Sequence, residues 1–280
     1  MTIQEHVDAL NIYGVTVVEN VIPQHIVEEI KSTVTNYFKD KNNWCQGYRV
    51  SDQTIKSNGF NFKEFQVCQK ILEQQTLLDI MNSITDNQVR WLHHSDVHLN
   101  FVGAKGWHTD SQLQVGKHVN DQCPITDLDK KIGNDEKGTD YSYQTYRFAT
   151  YITDHSDEPG ACLGVKPYSF HGDGRVTPPY QIDAAPGDVI IFNSKLRHMG
   201  GNSNKDRIAL FWAFGKDNLY SKYHTISALK RQCSQNLQNI KDYSIGKHLS
   251  DFFDKQKISY DIDPQILKEF NKISMFNDSY

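Results

Sequence analysis

Apolar positions in the first 88 residues follow mainly a helical period. They recur at helical spacing around Val7 to Leu10, from Pro23 to Phe38 and from Val67 to Ile84. Between the first two of these segments, the β-branched run Val15 to Val18 is typical of a strand. Proline suits a helix start because its missing N–H would have no partner there. We therefore predict a helical flank over residues 1–88 with one strand inside it.

From residue 89 to residue 217 the pattern changes to short apolar and β-branched runs separated by turn residues. This rhythm is typical of a sandwich or a jelly roll. It predicts a mainly β core with flanking helices. The predicted strands are Val97–Val102, Arg147–Ile152, Ala161–Lys166, Val189–Phe192 and Ile208–Phe214.

Two further segments lack this strand pattern. Residues 113–143 are rich in Asp, Lys and Gly and show no periodicity, so we predict an insertion or lid there. After Asn218 the chain becomes helical and highly charged, which predicts a C-terminal helical segment over residues 218–280. A chain of 280 residues can still form one β-rich domain, and we expect a single domain over 1–280.

Composition limits the class of function. A net charge of −4 and a pI near 6.3 lack the basic excess of nucleic-acid-binding proteins, so a small-molecule substrate is favoured. The first residues form no apolar signal core, and nowhere do 18 apolar residues run together, so we expect a cytoplasmic protein that binds no membrane. The cysteines form no Cys-x-x-Cys pair, which disfavours disulfides and a thiolate zinc site. They are Cys45, Cys68, Cys123, Cys162 and Cys233.

The segment GWHTDSQ contains the first candidate metal ligands. Alternation along a strand would place His108, Asp110 and Gln112 on one face. Two ligands could then converge from one strand. A lone His-x-Asp is weak evidence, because such tripeptides are common on protein surfaces.

A third ligand strengthens the pattern. In PGDVIIFNSKLRHMGGN an apolar strand runs into a loop that bears His198, and a further strand follows. A jelly roll brings distant strand ends to one mouth, so His198 can complete a site with His108 and Asp110. Two histidines and one carboxylate on one side of a metal are typical of non-haem Fe(II) oxygenases, although zinc would also accept these ligands.

Arg207 is the candidate anchor for a co-substrate. It opens the strand after His198, and alternation places Ala209 and Phe211 on its face. A buried guanidinium requires an anion, and its planar fork fits the distal carboxylate of 2-oxoglutarate. The alternative is an arginine at a strand end that pairs with Asp206 or with solvent.

Other polar residues are weaker candidates. Thr150 and Tyr151 lie on a strand whose inner face could contact the co-substrate, and the pattern does not show which one points inward. Neighbouring His93 and His94 point to opposite faces of a strand, so they cannot serve one site, and His98 is more simply a packed histidine. Basic residues that could surround an anionic substrate are Lys105, Lys117, His118, Lys166, His171 and Arg175.

These segments together resemble the phytanoyl-CoA dioxygenase family of iron(II) and 2-oxoglutarate-dependent oxygenases. The resemblance runs to about Gly215 through LNIYGVTVVENVIP, WHTD, YITDHSDEPGACLGVKPYSFH, PGDVIIFNSKLRHMGGN and Arg207, in the family's order. It implies a cupin-like double-stranded β-helix core, or jelly roll. It also implies that His108, Asp110 and His198 bind Fe(II), that Arg207 binds 2-oxoglutarate and that Asn202 lies in the conserved position of the following loop.

The resemblance implies a dioxygenase that converts 2-oxoglutarate and O2 to succinate and CO2 while it hydroxylates a small polar metabolite. The polar insertion and the basic residues suggest that this metabolite is anionic. Two alternatives remain open. One is a jelly roll that binds metal and 2-oxoglutarate as a sensor without turnover, and the other is a zinc-dependent hydrolase.

Overall fold

Two antiparallel sheets form the centre of the protein, which we describe from a computed structural model. The larger sheet has six strands in the order β1-β7-β4-β9-β3-β2, and the smaller has the order β6-β5-β8. The strands are β1 Val15–Val18, β2 Thr54–Ile55, β3 Val89–Leu99, β4 Thr145–Tyr151, β5 Leu163–Lys166, β6 Tyr180–Ile182, β7 Val189–Asn193, β8 Arg197–Gly200 and β9 Ile208–Lys216. The described residues are 1–43, 54–55, 59–99, 106–110, 144–171, 177–201, 207–233 and 244–267.

Five helices cover one face of the larger sheet, whereas the helix Leu219–Cys233 contributes to a separate apolar cluster. The second helix buries Ile26, Val27, Ile30 and Val34, a stripe at helical spacing that joins the main apolar core. The helices are α1 Ile3–Tyr13, α2 Gln24–Tyr37, α3 Gln69–Leu72, α4 Gln75–Ile84, α5 Leu219–Cys233 and α6 Lys247–Gln256. The protein is therefore a mixed α/β structure with antiparallel sheets.

Several predicted bounds change. The predicted helix from Val67 to Ile84 is broken, because the 3-10 helix Lys63–Cys68 precedes α3 and the chain turns again before α4. The segment expected to be a helical flank contributes both edge strands of the larger sheet, β1 and β2. The predicted insertion at 113–143 lies outside the described residues. No helix in the described part of the chain has the length and apolar character needed to cross a membrane.

Alternation along β4 separates two environments. Tyr146 and Phe148 belong to the core beneath the helices, whereas Ala149 and Tyr151 belong to a second core that includes the smaller sheet. Odd-numbered residues of β4 therefore face the space between the two sheets. This inner face holds the candidate site.

The C-terminal segment is attached to β3 by a buried arginine. Arg90 donates to Asp217 Oδ1 at 2.6 Å, to Asp261 Oδ1 at 2.6 Å and to the Asp261 carbonyl at 2.8 Å. The backbone pairs beside it, with Trp91 N–H donating to the Ser259 carbonyl at 2.8 Å. The guanidinium thus joins the start of β3 to two later parts of the chain.

His93 reinforces the same attachment and predicts a pH dependence of stability. Its Nε2 lies 2.6 Å from the Tyr260 carbonyl, and burial lowers the pKa of His93 to about 4. Between this value and the unfolded pKa of about 6.5, the unfolded chain binds more protons, so stability falls as the pH falls. We expect the titration of His93 to lower the free energy of unfolding by about 2 kcal/mol when the pH falls from 7 to 5.

Urea unfolding of the wild type and of His93→Asn at both pH values checks this expectation. Asparagine tolerates the positive φ of 50° at this position. The variant should lose less stability than the wild type over this interval. Equal losses would show that His93 does not titrate in this way.

Candidate metal centre

A short antiparallel pairing brings the first candidate ligand to the third. The His108 N–H donates to the His198 carbonyl at 3.0 Å, and the His198 N–H donates to the His108 carbonyl at 2.9 Å. Asp110 N–H donates to the Ser194 carbonyl at 2.9 Å. Among residues 106–110 this pairing is an isolated bridge and not the predicted strand, yet it places His108 and Asp110 beside the same loop.

The three side chains converge. His108 Nε2 lies 3.8 Å from Asp110 Oδ1, and His198 Nε2 lies 3.7 Å from Asp110 Oδ2. One ligand atom from each residue lies within 4.8 Å of the others. These distances are too long for hydrogen bonds and short enough for one ion to contact all three.

Backbone carbonyls orient both imidazoles. His108 Nδ1 lies 2.9 Å from the Gly106 carbonyl, and His198 Nδ1 lies 2.9 Å from the Leu196 carbonyl. Because a carbonyl can only accept, each Nδ1 carries the proton, and each Nε2 presents its lone pair toward Asp110. This arrangement is common for metal-binding histidines, so the residues fit an ion that takes imidazole and carboxylate ligands.

The local charges also keep the ligands in their binding forms. Burial would raise the pKa of Asp110, but His198 and Arg147 hold it well below its usual range. Burial lowers the pKa of His198, partly opposed by Asp110. The carboxylate is therefore ionised and the imidazole neutral near pH 7, as metal binding requires.

Two buried charged residues beside the triad were not predicted. Arg147 Nε lies 3.0 Å from Asp110 Oδ2, and Arg147 Nη2 donates to Asp96 Oδ2 at 3.2 Å. The Arg147 side chain is only 4% exposed. A charged residue within the apolar run YRFATYI was the available sequence signal, because such residues are rarely buried without a partner.

Arg207 is buried on the inner side of the protein. Its Nη1 donates to the Gly201 carbonyl at 2.7 Å and to the Ala161 carbonyl at 3.1 Å. Burial raises the pKa of the Tyr151 hydroxyl, and it raises the pKa of the Cys162 thiol to about 11. The positive charge of Arg207 partly offsets both increases. Arg207 is 6% exposed, so the alternative of pairing with solvent does not apply, whereas its other proposed partner, Asp206, lies outside the described residues.

The other predicted co-substrate contacts differ in placement. Thr150 lies on the outer face of β4, where its hydroxyl donates to the Asp188 carbonyl at 2.8 Å. The structure therefore does not bring Thr150 to the triad. Tyr151 points inward, and its hydroxyl donates to the Cys162 carbonyl at 2.8 Å. Asn202 lies outside the described residues.

Three of the weaker candidates have contacts within the fold. Lys166 Nζ stacks over the Trp107 ring at 4.7 Å, and His171 Nε2 lies 3.3 Å from the Ile12 carbonyl. His98 packs edge-on against Phe211. The remaining basic candidates, Lys105, Lys117, His118 and Arg175, lie outside the described residues.

Comparison with solved structures identifies the fold. SnoN, a non-heme alpha ketoglutarate-dependent epimerase from nogalamycin biosynthesis, matches with a TM-score of 0.55 and 10% identity over 76% of this chain and 82% of its own. SnoN in complex with Fe3+, alpha ketoglutarate and nogalamycin RO matches with a TM-score of 0.54 and 10% identity over 76% of this chain and 83% of that one. AviO1 from Streptomyces viridochromogenes Tue57 matches with a TM-score of 0.53 and 14% identity over 77% of this chain and 96% of its own.

No protein-family model and no curated protein matches the chain by sequence. The structural matches show the fold alone. The protein therefore shares its fold with SnoN and AviO1, and it carries a His-Asp-His group that could hold a metal ion such as iron. Neither its substrate nor its reaction follows from the fold, since SnoN is described as an epimerase.

Proposed function

We propose that this protein is an iron(II) and 2-oxoglutarate-dependent dioxygenase that hydroxylates a small polar metabolite. The triad geometry supports this most strongly, because both Nδ1 atoms are fixed by carbonyls while both Nε2 atoms point to Asp110. We further propose a jelly-roll core and membership of the phytanoyl-CoA dioxygenase family. The order of WHTD, the loop of His198 and Arg207 in the sequence supports that assignment.

In this proposal His108, Asp110 and His198 hold Fe(II) from one side. The metal, when bound, supplies the oxygen chemistry that couples decarboxylation of 2-oxoglutarate to substrate oxidation. Arg147 keeps Asp110 in place and ionised, and the carbonyls of Gly106 and Leu196 keep the imidazoles turned toward it. The protein thus contributes a preorganised set of three side chains that would bind the metal.

Arg207 anchors the distal carboxylate of 2-oxoglutarate in this proposal. Its guanidinium is buried and is held in one orientation by the carbonyls of Ala161 and Gly201. Lysine keeps the charge but loses the planar fork, so we expect Arg207→Lys to weaken 2-oxoglutarate affinity at least ~10-fold. Affinity for Mn2+ should change less than ~2-fold, because the residue is not a metal ligand.

Titration calorimetry of the full chain with Mn2+, followed by 2-oxoglutarate, measures both affinities. Lys166→Arg is a matched control, because Lys166 stacks on Trp107 and has no proposed role in co-substrate binding. Unchanged 2-oxoglutarate affinity in Arg207→Lys would assign the anchor to another residue.

The main test measures succinate formation and O2 consumption with Fe(II), 2-oxoglutarate and candidate polar substrates. Succinate formed in proportion to oxygen consumed, and lost in His198→Ala, supports a dioxygenase. Binding of iron and 2-oxoglutarate with no oxygen consumption would instead indicate a sensor. Hydrolysis by the zinc-loaded protein without oxygen or keto acid would indicate a hydrolase.

A further inference from the structure

A group of buried polar atoms lies next to the triad and is not used by the fold. Among the described residues, Thr145 Oγ1, Arg147 Nη1, Ser194 Oγ and Ser221 Oγ have no hydrogen-bonding partner. Thr145, Ser194 and Ser221 are each 0% exposed. Buried polar atoms without partners are rare, because each loses its hydrogen bonds to water at a cost of about 1–3 kcal/mol.

Three of the residues that carry these atoms are linked to Asp110. Ser194 joins Thr145 to the triad, since its N–H donates to the Thr145 carbonyl at 3.0 Å and its carbonyl accepts from Asp110 N–H at 2.9 Å. Arg147 follows Thr145 on the inner face of β4 and contacts Asp110. Thr145, Arg147 and Ser194 therefore form a connected set that ends at a proposed metal ligand.

Helix α5 places the fourth residue, Ser221, next to the same part of the larger sheet. A Cβ on Gly215 of β9 would lie 2.5 Å from Ser221 Oγ and 3.2 Å from Thr145 Cγ2. The absence of a side chain at Gly215 thus leaves room for the side chains of Ser221 and Thr145, which both lie next to it. We call Thr145, Arg147, Ser194 and Ser221 the polar wall.

The polar wall offers hydrogen bonds and little uncompensated positive charge. Its hydroxyls can both donate and accept, and Arg147 Nη1 can donate. The charge of Arg147 is already met by two carboxylates, Asp96 and Asp110. An anionic group placed here would lie beside those carboxylates, whereas a neutral hydroxyl would complete the missing hydrogen bonds without repulsion.

We propose that the polar wall binds the substrate and that the substrate is an uncharged compound bearing several hydroxyl groups, such as a sugar or polyol. This inference rests on the proposed function, because it places the substrate beside the metal. It replaces the anionic substrate expected from the sequence with a neutral one. The unpaired polar atoms are then ligand-binding groups that reduce the stability of the free protein.

Two threonines on β4 allow a matched test. Both are 0% exposed, but Thr150 donates to the Asp188 carbonyl while Thr145 Oγ1 has no partner among the described residues. Thr145→Val should therefore leave Tm unchanged or raise it, and Thr150→Val should lower it. An equal loss of Tm in both variants would show that the Thr145 hydroxyl serves the fold, which would overturn the proposal.

Binding is measured by calorimetry on the full chain loaded with Mn2+ and 2-oxoglutarate, with methyl glucoside as the neutral probe and glucuronate as the anionic one. We expect methyl glucoside to bind more tightly, and Thr145→Val and Ser194→Ala each to weaken it roughly 5-fold, the value of one hydrogen bond. Thr150→Val should not weaken it.

The outcomes separate this inference from the proposed function. Binding of Mn2+ and 2-oxoglutarate without methyl glucoside, tighter binding of glucuronate, or no effect of Thr145→Val would overturn the polar-wall assignment alone. Failure to bind Mn2+ and 2-oxoglutarate in the wild type would overturn the proposed function itself.

Discussion

Asp110→Ala is expected to reduce 2-oxoglutarate-dependent succinate formation by at least ~10^3-fold, about 4 kcal/mol of lost transition-state stabilisation. The variant removes the carboxylate toward which both Nε2 atoms point, at 3.8 and 3.7 Å. Loss of this ligand should weaken Mn2+ affinity by more than about 100-fold, since changes outside the first coordination sphere alone can cost that much.

The matched control is Asp251→Ala, which removes an exposed carboxylate paired with Lys247 within a helix. Its Mn2+ affinity and its succinate formation should equal those of the wild type. Circular dichroism distinguishes a loss of activity from a loss of folding. We expect Asp110→Ala to fold, because Arg147 retains Asp96 as a partner. A folded Asp110→Ala protein with undiminished turnover would remove Asp110 from the metal site.

Arg90→Met is expected to lower the free energy of unfolding by about 2–4 kcal/mol. Arg90 is 1% exposed and makes three charge-assisted hydrogen bonds to Asp217 and Asp261. Methionine fills much of the same volume but leaves the Asp261 carbonyl and both carboxylates without their donor. The partial exposure of Asp217 and Asp261 limits the loss, because water can hydrate them.

Urea unfolding measures this loss, with Lys247→Met as the control. Lys247 pairs with Asp251 one helical turn away, but the two side chains are 86% and 60% exposed. Surface pairs of this kind contribute about 0.3–0.5 kcal/mol, so the control should be close to wild type. Similar small losses in both variants would show that the C-terminal attachment does not depend on Arg90.

The sequence predicts regular elements well where apolar spacing is simple. The strand β1 has the predicted bounds, and α2 begins one residue after the predicted Pro23. Helix α1 is longer than its apolar residues indicate, because Thr2 and Glu5 form a capping box that extends its start. The capping pattern was present in the sequence, whereas apolar periodicity alone does not detect it.

Buried polar residues account for most of what the sequence does not predict. The strand β3 starts at Val89 and not at the predicted Val97. The sequence pattern did not indicate this earlier start, because residues 90–96 include Arg90, His93, His94 and Asp96. Arg90, His93 and Asp96 are buried beside partners that are distant in the chain. A local sequence pattern does not show which distant residues will be partners. Because the polar residues also interrupt the apolar period, the first part of β3 was not predicted.

In the candidate site, too, the sequence predicts local patterns and does not predict contacts between distant residues. His108 and Asp110 form a local pattern, His198 stands in a recognisable strand-loop-strand segment, and the structure brings the three together. The inward residue of Thr150 and Tyr151 could not be chosen, because β4 is buried on both faces and shows no alternation. Arg147 depends on Asp96 and Asp110, which come from two other parts of the chain, and only the fold reveals that contact.

The most direct test of the metal site is an anaerobic titration of the full chain with Fe(II) and 2-oxoglutarate, followed by visible absorption. Chelation of the iron by the keto acid gives a charge-transfer band. We expect this band to saturate at one iron and one 2-oxoglutarate per chain and to be absent in Asp110→Ala. Iron binding without the band, or an equal band in Asp110→Ala, would contradict an iron and 2-oxoglutarate centre at His108, Asp110 and His198.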